Sequence, residues 1–254
     1  MQRYFVEKEQ FENNIVRILG EDARHIGKVM RGRVGDEIIV CDGAGRVVLA
    51  RLESVEAGEV AAMVIEEMTE TSEARFRVEI AQSLPKGDKL ETVIQKCTEI
   101  GAAAFVPFLS ERTVVQYDAK KEEKRLQRWG KIAKEAAEQS HRSRVPEVRQ
   151  PLPYKQLLKT FANYDLVLFC YEKEDGLQLR DVVRPFAESR LEGSASMLVV
   201  VGPEGGFAER EADEAAASGA KIAGLGRRIL RAETAGMAAL ACILYESGEM
   251  GGNQ

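Results

Sequence analysis

Apolar positions in residues 1–67 fall into short runs separated by turn signals, a pattern typical of β-strands. Such runs occupy four ranges, 14–19, 36–41, 46–53 and 60–67. The sequence Asp42-Gly43-Ala44-Gly45 separates two of them and predicts a hairpin, because glycine admits the positive φ that tight turns require. Together with one helix predicted at 21–30, these strands indicate a small barrel.

The pattern changes after the polar segment 68–75, which we interpret as a linker. Continuous apolar strands then alternate with helices, which indicates a parallel sheet covered by helices on both faces. The predicted strands are 76–82, 102–108, 165–171, 197–201 and 221–225. The predicted helices are 88–100, 119–141, 154–161, 207–218, 234–245 and one that begins at Leu177 and is interrupted or bent at Pro185.

Side-chain patterns within these helices add detail. Asp88 is the expected N-cap of the first helix, with Glu91 completing a variant of the capping box. Cys97 lies on the apolar face of that helix, and Trp129 lies on the apolar stripe of the next, so both are expected in the core.

Two glycine-bearing turns, 202–206 (GPEGG) and 224–226 (GLG), each follow a predicted strand. Ligands usually bind at the carboxyl ends of strands in such sheets. Neither turn matches the phosphate loop or the dinucleotide fingerprint, and the charge of Glu204 disfavours a pyrophosphate. The turns therefore indicate a neutral or cationic ligand, or a sugar hydroxyl. The alternative is a pair of structural turns in which Glu204 caps a helix.

Three arginines, Arg227, Arg228 and Arg231, lie between the second turn and the final helix. Arginine is suited to forked contacts with phosphate or carboxylate, although ion pairs with nearby acids are the plain alternative. The helix 234–245 is apolar almost all round, which predicts burial in a core or in a subunit interface.

Composition limits the nucleic-acid partners that this chain could bind. With 254 residues, 44% hydrophobic, 30% charged and a net charge of −5, the chain is globular and shows no bulk affinity for nucleic acid. Two local patches remain, 24–33 without any acidic residue and 125–149 with seven Arg/Lys against three Glu. Either patch contacts RNA phosphates or is an ordinary solvated surface.

Several classes of site and location are disfavoured by the sequence. Its four cysteines lie far apart, which indicates a reducing compartment without a zinc site or disulfide framework. The N-terminus lacks the apolar core of a signal peptide, and no apolar run reaches the ~20 residues needed to span a bilayer. Only two histidines occur, and there is no GxSxG or HExxH motif. We expect a cytoplasmic protein with no metal and no membrane partner.

Two of these segments, GPEGGF at 202–207 and LGRRILRAETA at 225–235, closely resemble the cofactor-binding motifs of a known family. The family is the bacterial 16S rRNA (uridine N3)-methyltransferase family of the SPOUT superfamily. The long second motif is specific, and the resemblance extends over most of the chain. It includes Arg3-Tyr4-Phe5, 25–31 with Gly35-Asp36, Asp42-Gly43, 86–101, 110–112 and 128–142.

This resemblance implies an α/β fold with two domains. A PUA-like RNA-binding β-barrel would occupy 1–70. A SPOUT methyltransferase domain with a trefoil-knotted parallel sheet would occupy 74–254, bind S-adenosylmethionine in the loops of the knot, and form a homodimer through the final helix. Carried over by position, the cofactor-binding residues are Tyr171, Glu172, Gly202, Pro203, Glu204, Gly205, Gly206, Leu225, Gly226, Arg228, Ile229, Leu230, Thr234 and Ala235.

The reaction implied is methyl transfer to N3 of a uridine in 16S rRNA, within the small ribosomal subunit. Arg231 would stabilise charge that develops on the uracil oxygens, while Glu138, Glu172 and Glu233 are the candidates for the proton acceptor; the sequence does not choose among them. The predicted RNA-binding residues are Arg3, Arg24, Lys28, Arg31, Arg33, Lys86, Arg112, Gln139, Ser140 and Arg142.

Three other functions compete with this interpretation. A SPOUT enzyme of the same fold could act on another rRNA position or on tRNA. A non-catalytic RNA-binding assembly factor could carry the same glycine turns as structural elements. A nucleotide-phosphate enzyme is disfavoured by Glu204 and by the missing phosphate-loop lysine.

Overall fold

The computed structural model, which describes residues 1–69, 72–115, 119–190 and 193–251, contains two sheets in two compact units. The N-terminal unit comprises Met1–Glu73 and Ala137–Val145, and the C-terminal unit comprises Ala74–Ala136 and Pro146–Gln254. The segment 137–145 thus belongs to the N-terminal unit, although sequence analysis assigned it to a C-terminal domain at 74–254. The chain therefore returns to its first unit after beginning the second.

The N-terminal unit is built on a six-stranded mixed sheet. Its strands are β1 Arg3–Phe5, β2 Phe11–Glu12, β3 Ile15–Leu19, β4 Glu37–Cys41, β5 Val47–Glu56 and β6 Glu59–Glu67. The spatial order is β1-β4-β5-β6-β3-β2, and only the β1–β4 pair is parallel. Because the two outer strands do not pair with each other within the described residues, the sheet is a half-barrel rather than a closed barrel.

The predicted helix at 21–30 is two consecutive turns of different kinds. Helix α1, Gly20–Arg24, is followed by a π-helical turn, His25–Val29, in which the Met30 N–H donates to the His25 carbonyl at 2.9 Å. Ala23 and Ile26 anchor these turns in the core, each with 1% exposure.

The segment 137–145 completes the core of the N-terminal unit. Ala137 packs with Phe5, Ile39, Cys41 and Val47, and Val145 lies against the same cluster. All of these residues except Val145 are buried. This contact explains why the segment 137–145 belongs to the same compact unit as strands that precede it by about a hundred residues in the sequence.

Two arginines predicted to bind RNA serve this packing instead. Arg142 is buried and donates to both carboxylate oxygens of Glu73, at 3.3 Å from Nε and 2.6 Å from Nη2. Arg3 is also buried and donates from Nη1 to the Arg142 carbonyl at 2.8 Å. Guanidinium groups held inside the unit in this way are not positioned to contact phosphates, so we assign both arginines a structural role.

The C-terminal unit is built on a seven-stranded sheet in which every strand pair is parallel. Its strands are β7 Phe76–Ser83, β8 Ala104–Leu109, β9 Glu147–Val148, β10 Leu152–Pro153, β11 Leu166–Cys170, β12 Ala195–Val201 and β13 Lys221–Ala223. The main order is β10-β8-β7-β12-β11-β13, and β9 pairs with β8. Its helices are α2 Lys89–Ile100, α3 Ala119–Gln139, α4 Tyr154–Thr160, α5 Leu179–Glu188, α6 Glu209–Ala217 and α7 Ala232–Glu246, with the last residues of α3 in the N-terminal unit.

Helices cover both faces of this sheet, as predicted. Helices α4 and α6 pack on one face, against residues such as Phe169 and Leu198. Helix α7 packs on the other face and is itself contacted by α2 and α5. Gly236 lies at this contact, where a Cβ atom would be in ordinary van der Waals contact with Ile80 Cγ2 at 3.5 Å.

Some local predictions are confirmed and others are wrong. Trp129 and Cys97 are fully buried, as expected. The capping box at the start of α2 is absent, because the Asp88 side chain makes no cap hydrogen bond and lies 3.7 Å from Arg125, while Glu91 pairs with Arg128 at 2.6 Å. Helix α5 continues through Pro185 rather than ending there.

A buried ionic network beside the sheet yields a stability prediction. Glu79, 7% exposed, accepts hydrogen bonds from Tyr164 Oη at 2.6 Å and from Arg149 at 2.7 and 2.9 Å. Burial, together with the neighbouring Glu79 carboxylate, raises the pKa of Tyr164 to about 12. The Tyr164 hydroxyl therefore stays protonated and donates to Glu79 across the neutral pH range.

We expect Tyr164→Phe to lower the free energy of unfolding by about 1–3 kcal/mol, the usual cost of losing a hydrogen bond to a charged buried group. Since the pKa of Tyr164 is raised in the folded state, its contribution is complete below pH 10.0 and is lost as pH rises through about 12. Urea unfolding of both proteins at about pH 8 and about pH 11 checks this, because the difference between them should shrink at the higher pH. An equal difference at both pH values would contradict it.

Candidate functional site

A cavity of about 1080 Å³ opens at the carboxyl ends of the strands in the C-terminal unit. Strands β7, β12, β11 and β13 end in register, with Gln82 opposite Val201, Val201 opposite Cys170, and Cys170 opposite Ala223. The loops that follow β11, β12 and β13 therefore meet at one edge of the sheet. Together with the start of α7 and Lys89 of α2, these loops line the cavity.

The loop after β12, Gly202–Gly206, is a tight turn that lies close to the loop after β11. The Gly206 N–H donates to the Pro203 carbonyl at 2.9 Å, and Gly206 has a φ of +67°. A Cβ atom on Gly206 would lie 2.1 Å from Glu172 Oε1. The backbone conformation therefore favours glycine, and a larger residue would also require the Glu172 carboxylate to move.

Glu204 connects this loop to the start of α2. Its Oε1 atom accepts hydrogen bonds from the Lys86 backbone N–H at 3.1 Å and from Lys89 Nζ at 2.9 Å. Burial raises the pKa of Glu204, but the hydrogen bonds from Lys89 and from backbone N–H groups outweigh it and hold the pKa below its ordinary value of 4.5. The alternative in which Glu204 caps a helix is not observed, because Ala208 is the N-cap of α6.

The loops after β11 and β13 are joined by main-chain hydrogen bonds at Gly224. The Gly224 N–H donates to the Leu177 carbonyl at 2.9 Å, and the Leu179 N–H donates to the Gly224 carbonyl at 3.1 Å. The Gly226 N–H donates to Gln178 Oε1 at 3.1 Å. A Cβ atom on Gly224 would lie only 2.5 Å from the Glu174 carbonyl oxygen, so a side chain at this position would separate the two loops.

The start of α7 brings two charged side chains, Arg231 and Glu233, to the cavity, close to Lys89 of α2. Arg231, whose side chain is 82% exposed, lies at the N-cap with Nη1 4.0 Å from Glu233 Oε1. Glu233 Oε2 lies 3.9 Å from Lys89 Nζ. This Oε2 atom is buried and has no hydrogen-bond partner among the described residues. Lys89 thus lies between the carboxylates of Glu204 and Glu233.

The lining is suited to a ligand with both charged and uncharged parts. Within the described residues the lining contains five carboxylates and four cations, and its uncharged part is formed by the glycine-bearing loops after β12 and β13. The Tyr171 hydroxyl is a second buried polar atom without a hydrogen-bond partner in that part of the chain. Buried polar atoms of this kind usually form hydrogen bonds to a ligand or to water.

The described residues contain no group of three His, Cys, Asp or Glu arranged to hold a metal ion. Among the helices of the same residues, none has the length and apolar character that a membrane span requires.

The structure brings together nearly all the residues predicted to bind the cofactor. Every one of them lines the cavity except Thr234, which is exposed on the first turn of α7. Of the catalytic candidates, Arg231, Glu233 and Glu172 line it. Glu138 does not; it belongs to the N-terminal unit and accepts a hydrogen bond from the Phe5 N–H at 3.3 Å.

The predicted RNA-binding residues divide into several groups. Arg24, Lys28, Arg31 and Arg33 are exposed on the N-terminal unit, as are Gln139 and, in part, Ser140. Lys86 and Arg112 are exposed on the C-terminal unit, where Arg112 Nη1 donates to the Gly205 carbonyl at 2.7 Å. Arg3 and Arg142 have the structural role already described.

Sequence reasoning missed four polar or charged side chains that line this cavity: Lys89, Glu174, Asp175 and Gln178. Lys89 begins the helix that follows β7, and Gln178 lies just before α5 in the loop that follows β11. The signal in the sequence that could have indicated these residues is their position in the segments that follow predicted strands of the parallel sheet. Lys89 lies within the matching segment 86–101, but the resemblance was not used to give it a role, whereas residues 174, 175 and 178 lie in none of the matching segments.

Comparison with known proteins identifies the family. Residues 72–244 match the model of an RNA methyltransferase domain, and residues 18–62 match the model of an RNA methyltransferase PUA domain. The ribosomal RNA small subunit methyltransferase E of Bacillus subtilis (strain 168) is 44% identical over 257 residues and covers 100% of both chains. The protein of the same name from Synechocystis is 36% identical, over 95% of this chain and 76% of the other.

Solved structures give the same result. Ribosomal RNA small subunit methyltransferase E from Neisseria gonorrhoeae, bound to S-adenosyl methionine, aligns with a TM-score of 0.86 and 31% identity over 96% of this chain and 97% of that one. A putative methyltransferase from Legionella pneumophila, also with this cofactor, has a TM-score of 0.84 and 28% identity over 96% of each chain. The predicted PUA-like and SPOUT-type fold class is therefore confirmed. The chain belongs to the RNA methyltransferase family that includes ribosomal RNA small subunit methyltransferase E.

Proposed function

We propose that this protein transfers a methyl group from S-adenosylmethionine to N3 of a uridine in 16S rRNA. One observation carries the proposal: a single cavity collects both glycine motifs and the charged start of α7 in a member of this methyltransferase family. The proposal includes the small ribosomal subunit as the context and the cytoplasm as the location.

The residues of the cavity fit the proposed cofactor. Its sulfonium centre is cationic, and Glu172 lies against the Gly206 backbone where the two loops approach. The cavity edge at α7 offers N–H groups of a helix N-terminus, which favour the carboxylate of the methionine part. The residues that would hold the cofactor are Gly202–Gly206, Leu225–Leu230, Tyr171 and Glu172. S-adenosylmethionine supplies, when bound, a methyl carbon that is already electrophilic.

Removal of the N3 proton is the main chemical task left to the protein. The exposed uridine must present its pairing edge, so it has to be unpaired or turned out of a helix. We assign the role of proton acceptor to Glu233, because its buried Oε2 atom lacks a hydrogen-bond partner among the described residues and Glu233 lines the same cavity. Lys89, 3.9 Å away, orients this carboxylate, and Arg231 stabilises negative charge on the uracil oxygens.

We also propose that the protein acts as a homodimer with a knotted C-terminal domain. Helix α7 is mostly apolar, yet its Cys242 and Tyr245 side chains are exposed, the latter to 66%. These exposed side chains support a subunit interface on α7. The hydrogen bonds between the loops after β11 and β13 are compatible with adjacent loops of a knot.

Methyl transfer to defined RNA tests the proposed function. The protein is incubated with S-adenosylmethionine and with small subunits, or free 16S rRNA, from cells that lack the gene; digested nucleosides are then analysed by mass spectrometry. We expect one 3-methyluridine per 16S rRNA molecule, and the same nucleoside should be missing from the untreated RNA. Formation of a different methylated nucleoside would support another SPOUT specificity.

A calorimetric titration distinguishes the proposed methyltransferase from a non-catalytic RNA-binding protein. An RNA-binding assembly factor with purely structural glycine turns predicts no heat on addition of S-adenosylmethionine. We expect saturable binding at one site per chain. Absence of binding, with no methylated product, would remove the proposed function.

A further inference from the structure

Three apolar side chains are exposed within the most basic segment of the N-terminal unit. Val29 is 67% exposed, Met30 is 43% exposed and Val34 is 67% exposed. They alternate along the chain with the exposed cations Arg24, Lys28, Arg31 and Arg33, and residues 23–35 contain no acidic residue. We call residues 24–34 the basic-apolar segment.

The backbone of the basic-apolar segment is fixed from inside the unit. Ile26 is 1% exposed and anchors the π-helical turn in the core. The Gly32 N–H donates to the Ile26 carbonyl at 2.9 Å, and a Cβ atom on Gly32 would lie 2.9 Å from Ile26 Cγ2. A side chain at position 32 would therefore require Ile26 to shift, which shows how closely the segment packs at Gly32.

The end of the segment is equally constrained. The Gly35 N–H donates to the Leu52 carbonyl at 2.8 Å, and the Arg33 N–H donates to Asp36 Oδ2 at 2.8 Å. Arg31 has a φ of +54°, a left-handed conformation that is uncommon for a residue with a side chain. π-helical turns and such backbone conformations are frequent at functional sites. Val29, Met30 and Val34 are thus presented to solvent by a defined backbone.

The combination of cations and apolar side chains favours one kind of nucleic acid. Cations bind phosphates whether the RNA is paired or unpaired. Apolar side chains gain nothing from phosphates and need the faces of bases, which are stacked inside a double helix but accessible in loops and single strands. A protein partner would have to be acidic and apolar at once, whereas unpaired RNA offers both features in every nucleotide.

We propose that the basic-apolar segment binds unpaired RNA, with Val29, Met30 and Val34 against base faces and the neighbouring cations on the phosphates. The proposal rests on RNA as the substrate in the proposed function, and it adds that this segment selects single-stranded over double-stranded RNA. It thereby gives the small unit a means to hold an unpaired stretch that contains the target uridine.

The test compares two matched variants of the full chain. One replaces the apolar side chains (Val29→Ser, Met30→Ser and Val34→Ser together), and the other removes two cations (Lys28→Ala and Arg33→Ala together). All of these side chains are exposed, so both variants should fold. Circular dichroism and the S-adenosylmethionine titration verify that they do.

The RNA probe is a fluorescent strand of about 20 nucleotides, long enough for a typical single-strand site, used alone or annealed to its complement. Fluorescence anisotropy measures Kd at several salt concentrations. We expect the wild-type protein to prefer the single strand. The serine variant should bind the single strand roughly tenfold more weakly, because apolar area buried against the bases is lost, with an unchanged salt dependence and little change on the duplex.

The cation variant should behave differently. It should weaken binding to both probes and reduce the slope of log Kd against log salt by roughly one to two, as expected when two phosphate contacts are lost. Equal wild-type affinity for both probes would overturn the proposal, as would a serine variant that binds the single strand like the wild type or that loses the same factor on both probes.

The proposed function is checked on the same preparations by methyl transfer to 16S rRNA. Wild-type methylation without a preference for the single strand would remove only the role of the basic-apolar segment. Absence of methylation would instead remove the proposed function.

Discussion

Gly224→Ala is expected to weaken S-adenosylmethionine binding by roughly 5- to 150-fold, the range that corresponds to about 1–3 kcal/mol of overpacking. The new Cβ atom would lie 2.5 Å from the Glu174 carbonyl oxygen, which belongs to backbone and cannot rotate away as a side chain would. The loops after β11 and β13 must then separate, and the Gly224 hydrogen bonds to residues 177 and 179 are lost. Isothermal calorimetry measures the change.

Gly130→Ala provides the matched control for this substitution. Gly130 lies inside α3, and a Cβ atom there would meet nothing within 4 Å. Alanine is the better helix former, so the control should keep wild-type affinity and gain about 0.5–1 kcal/mol of stability. Wild-type cofactor affinity in Gly224→Ala would show that the contact between the two loops does not shape the cavity.

Glu233→Gln should lower kcat by roughly 10²- to 10⁴-fold at neutral pH while the affinity for S-adenosylmethionine stays unchanged. Glutamine keeps the size of the side chain but cannot accept the N3 proton. As pH rises, uridine loses that proton to solvent, so the difference in rate between variant and wild type should narrow. Single-turnover methylation measured across a pH series checks both expectations.

Arg231→Ala distinguishes proton removal from charge stabilisation. Because Arg231 acts on the charge of the uracil oxygens, its loss should lower kcat at every pH without narrowing at high pH. A Glu233→Gln protein with the wild-type rate at neutral pH would transfer the role of proton acceptor to Glu172, the other candidate that lines the cavity.

The parallel sheet and the cavity could be predicted because their signals are local. Strands such as β11 and β12 are apolar at nearly every position, and the glycines that follow β12 and β13 are needed where loops approach closely. The role of Lys89 could not be assigned in this way, although Lys89 lies in the segment 86–101 that resembles the family. Its importance comes from a 2.9 Å contact with Glu204, more than a hundred residues away in the sequence.

The predicted RNA-binding cations show a second reason why the sequence predicts the functional residues only in part. Arg3, Arg142 and Lys28 are equivalent in charge, but burial separates the first two from the third. Burial of an arginine depends on a carboxylate or carbonyl elsewhere in the chain, here Glu73 for Arg142. Charge patterning, which indicated RNA contact for Lys28 and Arg142, contains no information about such partners, and neither does the resemblance that carried Arg3 into the prediction.

The contribution of Ala137–Val145 to the N-terminal unit has a consequence for how the protein is made. A ribosome completes strands β1 to β6 early, but the cluster around Phe5, Cys41 and Val47 lacks Ala137 until residues 74–136 have also been synthesised. The unit that emerges first therefore cannot complete its core until the chain has been synthesised past residue 137. A nascent chain that stops before residue 137 leaves apolar surface exposed in the N-terminal unit, and RNA capture by the completed unit begins only after residues 74–136 of the catalytic unit have been synthesised.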